Sequence, residues 1–202
     1  LAKGEVAASI ALTAVISLIT PFTIPTLASW FLNVIEPGQI QIPIGQTIVQ
    51  LFAITFVPVT LGMVVRRFAE RVAHQMQTPV QIFSLVTLFL IIIALMVENW
   101  TVFISNFAMM APWVTLLVIM AFAGGYALAR IAGVTEAGQR TLSFEIGLQN
   151  GTAALLVTAT ILKIPETTIA PMFYSILMFV FAGLALLIFK RMGTPATREA
   201  TE

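Results

Sequence analysis

Long apolar runs, separated by short polar or Pro/Gly-bearing stretches, set the pattern of this chain from end to end. Six of them, 6–32, 44–65, 80–97, 112–131, 139–162 and 168–190, are close to the roughly 20 residues that cross a bilayer as a helix. Connectors such as Asn33–Pro43 and Arg66–Pro79 lie between them. Period-two alternation is absent, and backbone groups in hydrocarbon have to be satisfied within their own segment, so helix is the state each run predicts. In the connector Glu98–Ala111, Trp100, Phe103, Phe107 and Met110 recur every three to four residues, as in a segment lying along the membrane interface. The pattern predicts an all-α polytopic membrane protein of six transmembrane helices.

Composition agrees: 59% of residues are hydrophobic, 9% are charged, and the mean hydropathy is +1.00. Soluble domains carry about a quarter charged residues. The net charge of +1 and the lack of a basic stripe leave nothing to neutralise phosphates, so nucleic acid is excluded as a partner. With no cysteine, disulfides, thiolate metal sites and a thiol nucleophile are excluded. The single histidine, His74, sits among Arg66, Arg67, Glu70 and Arg71. It reads as an ordinary residue of a polar loop, and a multi-histidine metal site is excluded with it.

The basic residues fix an orientation. Lys3, Arg66, Arg67, Arg71, Arg130, Arg140, Lys190, Arg191 and Arg198 fall on one side of a six-span arrangement and only Lys163 on the other. The positive-inside rule then puts both ends of the chain in the cytoplasm of a cell membrane. Trp30, Trp100 and Trp113 fall near span ends on the outer side, where an aromatic belt sits. Glu5, Glu36, Glu70, Glu98, Glu136, Glu166, Glu199 and Glu202 lie at span ends or in connectors and read as solvated charges. The chain opens Leu-Ala-Lys-Gly-Glu, without an initiator Met or a small-residue cleavage site. It therefore reads as the carboxyl-terminal part of a longer protein.

One acid does not fit that solvated set. Glu145 lies inside the fifth run, where an ionised group costs about 2.5–3.5 kcal/mol on insertion scales unless a partner or a hydrated cavity offsets it. Gln149 follows four residues later, on the same face if the segment is helical. Gly147 and Gly151 weaken the helix around Gln149 and Asn150, which predicts a helix broken at membrane depth. Such breaks expose backbone carbonyls and half-helix ends to ions and substrates. A carboxylate, an amide oxygen and carbonyls form the hard oxygen set preferred by alkali and alkaline-earth cations. Asn150 is placed to cap the half-helix that follows, whose positive end favours an anionic group. In the first run Ser9, Thr13 and Ser17 recur every fourth residue, with Thr20 before Pro21. A hydroxyl stripe often only bonds its own backbone or a neighbouring helix, but hydroxyls also complete sodium cages, and Glu145 gives this stripe a partner.

Glu145-Ile-Gly-Leu-Gln-Asn-Gly151 resembles the Glu-x-Gly-x-Gln-Asn motif of the bile acid:sodium symporter family. The opening Leu1–Thr13 resembles the stretch that enters the fifth of that family's ten helices, and the similarity runs over essentially the whole chain. The resemblance implies two inverted five-helix repeats. Residues 1–32 would be the last helix of the first repeat and part of a core domain; 44–97 would be two panel-type helices; 112–202 would be core helices, with the broken helix 139–162 and a cytoplasmic tail. It further implies two Na+ sites, one taking side chains of Ser9, Thr13 and Glu145, the other Glu145, Gln149 and carbonyls around Ile146 and Leu148. Asn150 and Gly151, at the crossing of the broken helices, would meet the substrate. The first repeat's own broken helix, with a Ser-Asn pair that helps bind sodium, has no counterpart here, so a missing amino-terminal half of the same protein is an expected partner. Some family members carry Trp-His-Asn in the last helix where this chain has Leu177-Met178-Phe179. The expected substrate is thus a small carboxylate or sulfonate rather than a bile acid.

The sequence therefore points to a sodium-coupled secondary transporter of an organic anion, working by alternating access in a lipid bilayer, and not to an enzyme. A hydrolase would need histidines or paired acids within the spans to activate water, and there are none. A proton-coupled transporter using Glu145 as the carrier, and a non-transporting structural membrane fragment, are the alternatives.

Overall fold

The computed structural model describes residues 4–35, 37–38 and 42–193. Lys3, Glu36, Arg198, Glu199, Glu202 and the expected cytoplasmic tail beyond Gly193 lie outside the described residues. The rest is helical: α1 (Val6–Ile35), α2 (Ile44–Phe68), α3 (Glu70–Glu98), α4 (Trp100–Ile131), α5 (Glu136–Gly147), α6 (Gly151–Leu155), a π-helical stretch (Leu156–Leu162) and α7 (Pro165–Arg191). Five of these, α1 to α4 and α7, are long and apolar enough to cross a membrane. The run expected to form one further span, 139–162, is divided among α5, α6 and the π-helical stretch. In α1, α2 and α3 only 6% of the most apolar stretch is buried within the protein. Those greasy surfaces need lipid or other protein against them.

Two connectors are helix instead. Arg66–Pro79 was expected to be a loop, but α2 continues to Phe68 and α3 begins at Glu70, with Ala69 alone between them. His74 is accordingly a helical residue. Glu, Arg, Gln and Met are good helix formers, and the helix accommodates Pro79 in its interior, as membrane helices commonly do. Likewise Glu98–Ala111 is no separate interfacial segment: α4 starts at Trp100 and runs through Pro112 to Ile131. Its aromatic spacing reports packing. Phe107 lies against Phe173 of α7, ring centroids 4.8 Å apart.

The chain divides into two compact units. Among the described residues, one comprises 4–16, Ile104–Gly151 and 168–193. It contains most of α4, all of α5 and most of α7. Phe122, Tyr126, Phe144 and Phe189 form its aromatic interior, with successive centroids 5.6 to 5.9 Å apart. α4 ends where Gly133 adopts φ +70°, with Val134 N–H on Ala129 O and Gly133 N–H on Arg130 O, a Schellman stop that glycine makes without strain. Thr135 then caps α5, its hydroxyl accepting from Gly138 N–H at 3.1 Å. The other unit comprises Ser17–Phe103 and Thr152–Thr167. Here α2 and α3 pack together, and Leu51, Ala153 and Val157 form a small core covered by Ile24, Leu156, Ile161 and Leu162.

Candidate functional site

α5 is short and polar for a segment of this protein, and one of its faces carries Thr141 and Glu145. The opening of α1 lies against that face. Glu5 N–H donates to Thr141 Oγ1 at 2.7 Å, and Thr135 donates its hydroxyl to the Glu5 carboxylate. A Cβ at Gly4 would come within 2.6 Å of Thr141 Oγ1, so a glycine there allows the approach. Glu5 is thus held by partners and is not merely a solvated charge.

One turn further along α1, Ser9 donates its hydroxyl to Glu145 Oε1. Another turn on, Thr13 Oγ1 donates to Glu145 Oε2 at 2.9 Å. The four-residue spacing of the stripe thus delivers a hydroxyl to each carboxylate oxygen of a half-buried Glu145. Both hydroxyls spend their protons on the carboxylate, so their lone pairs, and the remaining ones on Glu145, are available to a ligand. Among the described residues no Lys, Arg or His pairs with Glu145. Three hard oxygen donors around one uncompensated negative charge fit a small alkali cation.

The helix stops two residues after Glu145. Gly147 is its last residue, and Leu148 is extended at φ −90°, ψ 90°. Both flanking glycines are set by packing. A Cβ at Gly147 would stand 2.5 Å from the Phe122 ring, and one at Gly151 would overlap Ser175 Oγ. Tyr174 holds the break open by donating its hydroxyl to Gly147 O at 3.0 Å. Ser143 fastens α5 to α4 through Phe122 O at 2.8 Å.

Of the residues expected at the site, Ser9, Thr13 and Glu145 come together. Ile146, Leu148, Gln149, Asn150 and Gly151 line the break instead. Because the helix ends at Gly147, Gln149 does not share the helical face of Glu145. Its Nε2 turns back to Ile146 O at 3.4 Å. Leu148, Gln149 and Asn150 are exposed, and Asn150 precedes the first residue of α6. The motif spacing did not reveal Tyr174 or Arg140. Tyr174 carries the one hydroxyl-bearing ring in the apolar run of α7, and a buried tyrosine hydroxyl generally has a partner. Arg140, expected as a boundary charge, is 1% exposed. It pairs with Glu136 at 2.6 Å, donates to Phe189 O at 3.2 Å and Gly193 O at 2.9 Å, and stacks on the Phe189 ring.

The family model described as "Sodium Bile acid symporter family" matches residues 1–106. Among curated proteins, the chain is 27% identical over 193 residues to "Probable sodium/metabolite cotransporter BASS3, chloroplastic" of Arabidopsis thaliana, covering 94% of this chain and 43% of that protein. It is 26% identical over 163 residues to "Uncharacterized sodium-dependent transporter YocS" of Bacillus subtilis (strain 168), covering 79% and 49%. It is 22% identical over 187 residues to "Probable sodium/metabolite cotransporter BASS1, chloroplastic" of Oryza sativa subsp. japonica, covering 91% and 44%. The chain spans less than half the length of these relatives.

Proposed function

We propose, from the premise that this chain belongs to the sodium bile acid symporter family, that it forms part of a sodium-coupled transporter of a small organic anion. The observation that carries the proposal is the Glu145 carboxylate held between the hydroxyls of Ser9 and Thr13 with no basic residue among those described paired to it. A sodium ion replaces a missing countercharge there at low desolvation cost, because hydroxyl and carboxylate oxygens stand in for its water shell. A second sodium draws on Glu145, Gln149 and the carbonyls of Ile146 and Leu148, at the break where helical hydrogen bonding lapses. Asn150 and Gly151 meet a carboxylate or sulfonate of the substrate. The fold that goes with this function has six spans, an inverted repeat completed by the rest of the protein, core and panel parts, and cytoplasmic ends. Ion and anion then cross together by alternating access, with the broken helix carrying both.

The test is uptake into vesicles by the protein at the length its host makes, over a panel of small carboxylates and sulfonates, with sodium varied at fixed pH. Sodium-stimulated uptake of at least one anion is the expected result. Stimulation by acid with no sodium effect would instead make Glu145 a proton carrier, and uptake of none would leave a structural role.

A further inference from the structure

The corner between α2 and α3 is built from residues the ion site does not use. α2 ends Arg66-Arg67-Phe68 and α3 opens Glu70-Arg71, so three guanidinium groups fall within six residues. All three are exposed, and none pairs with a described residue. This cluster stands where the apolar run of α2 gives out, the level at which a membrane helix meets headgroups. Beside it, α2 and α3 border an open groove of about 690 Å³. Arg66, His74 and Gln77 offer it nitrogen donors, Glu70 is the one acid in its lining, and Gly62 and Val80 contribute apolar wall. Counting Arg66, Arg67 and Arg71 against Glu70, the corner keeps a surplus of two positive charges with His74 neutral.

We infer that this groove binds an anionic phospholipid, its phosphate held by Arg66, His74 and Gln77 and one acyl chain lying between Gly62 and Val80. Guanidinium groups match phosphate oxygens bidentately. Basic pockets between membrane helices are general sites for acidic headgroups. Free phosphate would use the same donors but would gain nothing from the apolar wall, so charge and grease side by side favour the lipid. The site uses none of the residues around Glu145 and does not depend on what that residue binds.

Native mass spectrometry of the protein, at the length its host makes, with phosphatidylglycerol against phosphatidylcholine tests the inference. Saturable retention of phosphatidylglycerol is expected, together with a rise in melting temperature when it is added. Arg66→Gln combined with Arg71→Gln weakens that retention about twenty-fivefold, at about fivefold per charge. Gly62→Leu keeps every charge and narrows the groove at its apolar wall; a Cβ there meets nothing within 4 Å, so the backbone leaves room for the first atom of a side chain, and an unchanged far-ultraviolet circular dichroism spectrum verifies the fold. It weakens retention about tenfold through loss of roughly two methylenes of contact. Equal retention by wild type and both variants would overturn the assignment. So would displacement of the lipid by excess inorganic phosphate together with indifference to Gly62→Leu, which would make this a free-phosphate site. Sodium-stimulated uptake is measured on the same samples, so failure here is distinguishable from failure of the ion site.

Discussion

Glu145 accepts from two neutral hydroxyls and, among the described residues, pairs with no base, so on the proposed reading each of the three groups makes a separable contribution. Glu145→Gln keeps the shape and the acceptor but removes the charge, so sodium stimulation of uptake is expected to disappear while the protein still folds. Ser9→Ala and Thr13→Ala each remove a proposed ligand and a hydrogen bond to a charged group, an interaction of about 1.5–3 kcal/mol. The half-saturating sodium concentration should rise about tenfold or more in each, read from uptake against sodium. Glu145 stands out in the sequence because an acid inside a membrane-spanning run needs a partner, and the hydroxyls of Ser9 and Thr13, which alone could serve only helix contacts, gain their meaning from it. Gln149 does not yield to the same reasoning. Four-residue spacing puts it beside Glu145 only on a continuous helix, and the helix ends at Gly147. Arg140 was hidden for the opposite reason, since its charge is shared with eight other basic residues that suit a membrane boundary, and only coordinates reveal the carbonyls it satisfies.

At the scale of elements, the break after α5 depends on close packing as much as on weak helix propensity. Gly147 fits beneath Phe122 and Gly151 beneath Ser175. Gly147→Ala and Gly151→Ala should each destabilise the protein by about 1–3 kcal/mol through overpacking, measured as a shift in thermal unfolding. Tyr174→Phe removes only the bond to Gly147 O and should cost about 1 kcal/mol, with a rise in half-saturating sodium if the break supplies the second site. That the fifth run would break was readable from its two glycines and two amides. The positions of helix ends were less so. Polarity marked Arg66–Pro79 as a connector, yet its residues favour helix and the two helices nearly meet at Ala69. Period alone could not tell an interfacial segment from the first turns of α4, because both repeat every three to four residues.

At the scale of the molecule, the exposed apolar surfaces of α1, α2 and α3 suit a bilayer or further protein, and the uneven spread of basic residues predicts which side of a bilayer each connector faces. The chain has no cysteine, so single introduced thiols report sidedness cleanly. Lys163→Cys is expected to react with an impermeant maleimide from outside intact cells, and Arg67→Cys only after the cells are opened; the reverse pattern would invert the orientation. Membrane residence and helical class follow from composition and run length, whereas the division into two compact units does not, because it depends on which greasy faces choose protein over lipid. The most direct measurement of all is equilibrium binding of radioactive sodium to the purified protein, wild type beside Glu145→Gln. Saturable binding by the wild type and none by the variant is predicted. Undiminished binding by the variant would contradict the assignment of Glu145, Ser9 and Thr13 as the seat of the ion.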